Sequence, residues 1–134
     1  MSVAHAQVSF FNDGPGSDQD LPFSEAVRVN ELLFVSGQVG TDASGALVAG
    51  GITAESRQVM DNIRQIITRR GLSMKDVVKC TVFLADVSEW GDFNLVYITY
   101  FSKPYPARSA LGANGLALGA ALEVECIAAY PKRI

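Results

Sequence analysis

Two short segments carry residues whose types and spacing could do chemistry: Pro104-Tyr105-Pro106-Ala107-Arg108-Ser109 and Leu122-Glu123-Val124-Glu125. A guanidinium such as that of Arg108 presents two parallel donors to a planar carboxylate, so it sets position and orientation together, where lysine supplies charge alone. Neither proline can donate a ladder hydrogen bond, so the approach to Arg108 reads as a loop or the start of a strand. A side chain at a strand's entry can face a cleft. Glu123 and Glu125 lie two apart, so on a strand they share a face opposite Leu122, Val124 and Cys126. A carboxylate held over a reacting carbon can take a proton from water and return it. Read alone, the residues leave another arrangement open. Arg108 could pair with Glu123 or Glu125 or be a plain surface arginine, and the two glutamates could be a solvated strand face.

The elements that must position these groups follow from periodicity. A short strand is expected around Gln7 to Phe11, then turn residues from Asn12 to Asp20. A strand near Ser24 to Val29, a turn at Asn30-Glu31 and a strand from Leu32 to Val39 follow. The apolar start of that last strand predicts burial on both faces, and Gly37 inside it predicts a bulge or a close approach. Val59, Met60, Ile63, Ile66 and Ile67 form one stripe at helical spacing. Their helix is expected to be capped by Thr53 and to run to about Arg70, with Gly71 at the position after its end. Ser73 to Asp76 matches a capping box with little to cap, so a single turn is expected before the strand Val77 to Leu84. A second helix is expected from Ser88 through Phe101, with Trp90, Phe93, Tyr97, Tyr100 and Phe101 on one face. Strands Ala107 to about Ala113 and Leu122 to Ala129 complete an α+β domain: one sheet with two helices on one face. The sheet's other face would then need cover, which points to an oligomer.

The totals bound the class. At 134 residues and 49% hydrophobic, the chain is a single domain, 1–134, with a core that needs no staple. A formal net charge of −3 argues against a general nucleic-acid binder. Arg57, Arg64, Arg69 and Arg70 read as a solvated helix face. Cys80 and Cys126 sit in apolar runs and read as buried free thiols, which could pair, although nothing else suggests a secreted scaffold. No signal peptide or membrane-spanning stretch is evident, so the expected setting is cytoplasmic and reducing. The one histidine, His5, cannot build a zinc site, and no cysteine–histidine spacing exists, so no metal is expected. The glycines at 112, 115 and 119 lack the order of a phosphate or dinucleotide loop.

Ser36-Gly37-Gln38, Asp76 through Asp86, Phe93-Asn94, Pro106-Ala107-Arg108-Ser109 and Glu123-Val124-Glu125 occur in that order at spacings that resemble the RidA (YjgF) family of reactive-intermediate deaminases. The resemblance runs from about Pro22 to Ala129. It implies a chorismate-mutase-like mixed sheet with two helices, assembled as a homotrimer with sites between subunits. It further implies hydrolysis of 2-imino acids, tautomers of 2-enamino acids, to 2-keto acids and ammonia, without metal or cofactor. By the same resemblance Arg108 holds the substrate carboxylate and Glu123 orients the attacking water. The Gly37 carbonyl receives the imine N–H beside Ser36, and Asn94 shapes the site.

Several positions depart from the family pattern, among them Leu116-Ala117, which replaces a common Leu-Pro. Phe23 stands where a tyrosine is usual and keeps an aromatic wall without the hydroxyl. Ala110 stands where a cysteine is found in the best-studied branch and keeps only its backbone N–H. Two rival readings therefore stay open: a non-catalytic carboxylate-binding or regulatory trimer, and a catabolic deaminase for a larger unsaturated amino acid. The partner in each case is an imino acid or another small carboxylate, with no nucleic acid and no membrane.

Overall fold

Alternation of buried and more exposed side chains builds the centre of the sheet in this computed structural model, which describes residues 1–131. In chain order the elements are β1 (Val8–Phe11), β2 (Ala26–Val29), β3 (Leu32–Gln38), α1 (Gly51–Arg69), β4 (Val77–Leu84), α2 (Trp90–Tyr97), β5 (Ala107–Gly112) and β6 (Leu122–Ala129). The six strands lie in the order β1-β2-β3-β6-β4-β5. Only β5 runs parallel to its neighbour, β4; the other pairs are antiparallel, so the sheet is mixed as expected. Leu33 and Val35 of β3, Cys80, Val82 and Leu84 of β4, and Leu122, Val124, Cys126 and Ala128 of β6 are buried in one core with Val59, Met60, Ile63, Ile66 and Ile67 of α1 and Phe93 and Tyr97 of α2. Each large aliphatic side chain in that layer contributes about 1.5–3 kcal/mol through loss of contact with water.

The start of α1 differs from expectation. Gly50 takes the cap position at φ 114°, with no side-chain cap, and Thr53 lies inside the first turn. A Cβ on Gly50 would come within 2.9 Å of the Ala54 Cβ, so the glycine serves both the positive φ and the close approach. The far end is as expected. Gly71, at φ 79°, donates to the Thr68 carbonyl at 3.0 Å, and Leu72 donates back to Ile67 at 3.0 Å. Arg69 and Arg70 do more than solvate the helix. Arg69 pairs with Glu25, and Arg70 pairs with Asp13 while lying 4.1 Å over the Phe11 ring. The hydrogen bond from Arg70 holds the Asp13 carboxyl below its usual range. This clasp ties the turn-rich segment after β1 to the end of α1.

The second helix is shorter than its aromatic stripe suggests. It spans Trp90–Tyr97, with single 3-10 turns at Val87–Glu89 and Ile98–Tyr100. Ile98 and Thr99 are β-branched, and the Thr99 hydroxyl donates to the Val96 carbonyl at 2.6 Å, drawing the backbone out of α geometry. Beyond it, the Tyr100 hydroxyl donates to Asp61 at 2.8 Å. Burial, then the Asp61 hydrogen bond and charge, push the Tyr100 hydroxyl up to about 12. The unfolded chain ionises this phenol near 10, so between pH 10 and 12 the unfolded state sheds a proton that the folded state keeps. Stability is therefore expected to fall across that window, and Tyr100→Phe is expected to flatten the fall in a denaturant series taken from pH 9 to 12. An unchanged slope in the variant would remove the assignment.

Two further expectations are corrected. Strand β3 is not buried on both faces, since Leu32 and Phe34 are exposed while Leu33 and Val35 are buried. The apolar run reflects an outer face that one chain leaves uncovered. The cysteines are not free thiols. Cys80 and Cys126 form a disulfide with Cα atoms 4.1 Å apart. They stand directly opposite each other on β4 and β6 and both face the helices, at 0% and 2% exposure. Their burial is as expected; their pairing required the register.

Candidate active site

Arg108 is the second residue of edge strand β5, in register with Cys80. It therefore points to the helix side of the sheet, where α2 meets it with three rings. Its Cζ lies 4.8 Å from the Tyr97 ring centroid, 5.6 Å from that of Phe93 and 5.9 Å from that of Trp90. At such distances ring faces attract a guanidinium. Among the described residues Arg108 makes no ion pair. The sequence groups these rings on one face, and that pattern by itself reads as core; what it could not display is that Arg108 lies against it. Burial raises the Tyr97 hydroxyl while the Arg108 charge pulls it down. Ala110, in register with Val82, follows Arg108 on the same side. Asn94 belongs to α2, and its Oδ1 is buried without a hydrogen-bond partner.

Glu123 stands elsewhere. It is opposite Phe83 on β4 and faces the outer side of the sheet, half-buried, with Glu125 on the same side opposite Thr81. Glu125 is exposed, and its neighbour Lys79 donates instead to the Ser109 hydroxyl at 3.4 Å. The register of β3 against β6 breaks between Val35 and Gln38, as Gly37 foretold. A Cβ on Gly37 would lie 2.7 Å from the Glu123 Oε2, so only glycine leaves that carboxylate its place. Ser36 braces the bulge: its N–H donates to the Glu25 carbonyl at 3.0 Å, and its hydroxyl donates to the Ser24 carbonyl. That second bond ties the bulge to Ser24, and Phe23, one residue before it, is 55% exposed.

The seven expected site residues thus form two groups. Arg108, Ala110 and Asn94 belong to the helix side near β5, while Glu123 meets Gly37 at the outer face by the β3 bulge, with Ser36 next in the chain and Phe23 in the segment that Ser36 holds. One chain does not bring the groups together. The ion pair of Arg108 with Glu123 or Glu125 that the residues alone left open is also ruled out, because the partners lie on opposite faces of the sheet.

A mixed sheet of this strand order, with both helices on one face, defines an α+β domain of the RidA type. The chain belongs to the family described as Endoribonuclease L-PSP, whose model matches residues 18–130. A mouse protein named 2-iminobutanoate/2-iminopropanoate deaminase is 43% identical over 108 residues, covering 80% of each chain. The crystal structure of the yeast protein YEO7 superposes with a TM-score of 0.85 at 35% identity, covering 93% of this chain and 100% of that one. RidA from an Antarctic Psychrobacter species gives a TM-score of 0.81 at 35% identity over 88% and 94% of the two chains.

Proposed function

We propose that this chain is an imine deaminase that hydrolyses 2-imino acids to 2-keto acids and ammonia, working as a homotrimer with its sites between neighbouring copies. The observation that carries the reading is the split of the two groups. A carboxylate clamp on one side of the sheet and a water-handling carboxylate on the other are each ready, and a second copy is needed to bring them face to face. The apolar outer row of Phe10, Val27, Phe34 and Ile127, in register across β1, β2, β3 and β6, supplies a surface for that second copy. The relative named as a deaminase of 2-iminobutanoate and 2-iminopropanoate supports the substrate class.

In this reading Arg108 fixes the substrate carboxylate through paired N–H donors. The Gly37 carbonyl accepts from the imine N–H and favours the protonated, more electrophilic iminium. Glu123 takes a proton from water as its oxygen adds to the imine carbon. The resulting carbinolamine receives that proton on nitrogen and expels ammonia as its hydroxyl proton passes back to Glu123, leaving the keto acid. The chain's own side chains suffice for this proton traffic. The nuclease word in the family description has no counterpart in a histidine, since His5 lies ahead of the matched segment. A cytoplasmic setting belongs to the same proposal and draws no support from the Cys80–Cys126 disulfide, since reducing compartments keep most thiols unpaired. Among the described residues no helix is long and apolar enough to cross a membrane.

Phe23 and Ala110 favour a second reading, a trimer that binds small carboxylates without turning them over. An assay separates the two. An amino-acid oxidase generates the imino acid in situ, and release of keto acid is followed. The wild-type chain is expected to accelerate release and Arg108→Ala is expected to abolish the acceleration; equal rates with and without the protein would leave the binding role. Comparing small with bulky imines tests the variant of the proposal in which the substrate is a larger unsaturated amino acid.

A further inference from the structure

The charge on Arg108 is half-buried, yet among the described residues neither an ion pair nor a side-chain hydrogen bond holds it. Its place is set by rings, and Tyr97 is the nearest of them at 4.8 Å. Tyr97 is itself fixed. It is 4% exposed and wedged between Phe93, with centroids 5.4 Å apart, and Phe101, at 4.7 Å, both tilted. Packing explains the ring but not the hydroxyl, which is buried and unpartnered. A buried polar group without a partner costs stability, so for the fold alone phenylalanine would serve better. Trp90, Asn94 and Tyr97 follow one another at helical spacing on a single stripe of α2, and the Asn94 Oδ1 is unpartnered too. Two unsatisfied polar atoms therefore share the helix stripe whose rings cradle the guanidinium.

We propose that Tyr97 is a positioning residue for Arg108: its ring face holds the guanidinium where an incoming carboxylate meets it, and its hydroxyl oxygen accepts from an inner N–H once the outer pair is engaged. This rests on the reading of Arg108 as the carboxylate clamp. A guanidinium has five N–H donors and spends two on a carboxylate; inside a half-buried site the others need acceptors. Tyr97 then acts on carboxylate affinity and not on the water step.

The test titrates 2-oxobutanoate into the assembled protein by calorimetry, beside the imine assay, for wild type, Arg108→Ala, Tyr97→Leu and Tyr97→Phe. Tyr97→Leu is expected to raise the 2-oxobutanoate Kd and the imine KM about 10-fold, with kcat within a factor of about two. Tyr97→Phe, close to isosteric and expected to fold, should raise them about 3-fold. A structural role alone would lower the number of titratable sites and kcat together while leaving Kd unchanged, and that result overturns the proposal. A phenylalanine variant equal to wild type overturns the part assigned to the hydroxyl. If wild type binds the keto acid but does not speed imine decay, the deaminase reading fails and the positioning role is still decided by Kd. If Arg108→Ala binds as well as wild type, the clamp and this proposal fall together.

Discussion

Glu123→Gln is expected to slow imine hydrolysis by about 10²–10⁴-fold, the range for loss of a positioned general base, while keto acid binding stays within a few-fold of wild type. The substitution keeps the shape of the side chain over Gly37 and removes only its ability to take a proton. The split of the site gives this variant a second use. Glu123→Gln retains a sound clamp, and Arg108→Ala retains a sound carboxylate. If reaction centres form between copies, two dead variants, unfolded and refolded as a mixture, are expected to regain about a quarter of wild-type activity, the share of interfaces at which random mixing joins two intact halves. Activity that stays at the level of the separate variants would mean that both groups come from one chain or that the chain is no deaminase. Wild-type imine turnover distinguishes those cases.

A charge on the outer face is expected to have an effect of similar size. Phe34 is 40% exposed and lies in register between Val27 and Ile127, with Phe10, 72% exposed, at the end of the row. In an isolated chain a carboxylate at this position would be solvated and the fold should persist. Between apposed copies it would be desolvated without a partner, which the interface should not tolerate. Phe34→Glu is therefore expected to sediment as a monomer with unchanged far-ultraviolet dichroism, and to lose imine turnover by about 100-fold or more as Arg108 and Glu123 no longer meet. A fully assembled, active variant would show that subunits do not associate through this face.

Much of the fold was legible because its strongest signals are local. The apolar runs within Val77–Leu84 and Leu122–Ala129 marked both strands, whose bounds the structure keeps, and Gly37 marked the bulge. The stripe on α1 and Gly71 set that helix apart from its end inward, while its start escaped because Gly50 works through a positive φ and not through a capping side chain. The pairing of Cys80 with Cys126 depends on strand register, a long-range property that residue spacing does not carry. The same holds for the site. Arg108 and Glu123 were recognisable as residue types in a familiar order, yet their separation to opposite faces follows from the parity of two strands against β4. The rings around Arg108 were visible only as a core stripe, since periodicity shows which side chains share a face and not what lies against it.

Strand β4 touches both halves of the proposed site: Cys80 is in register with Arg108, and Phe83, three positions on, with Glu123. In a closed ring each molecule would thus serve two reaction centres, lending its cation to one neighbour and its carboxylate to the other. A copy lacking both groups would silence two centres and not one. Expressed beside an intact copy, such a mutant would act as a dominant poison, costing a cell more output than its own absence would.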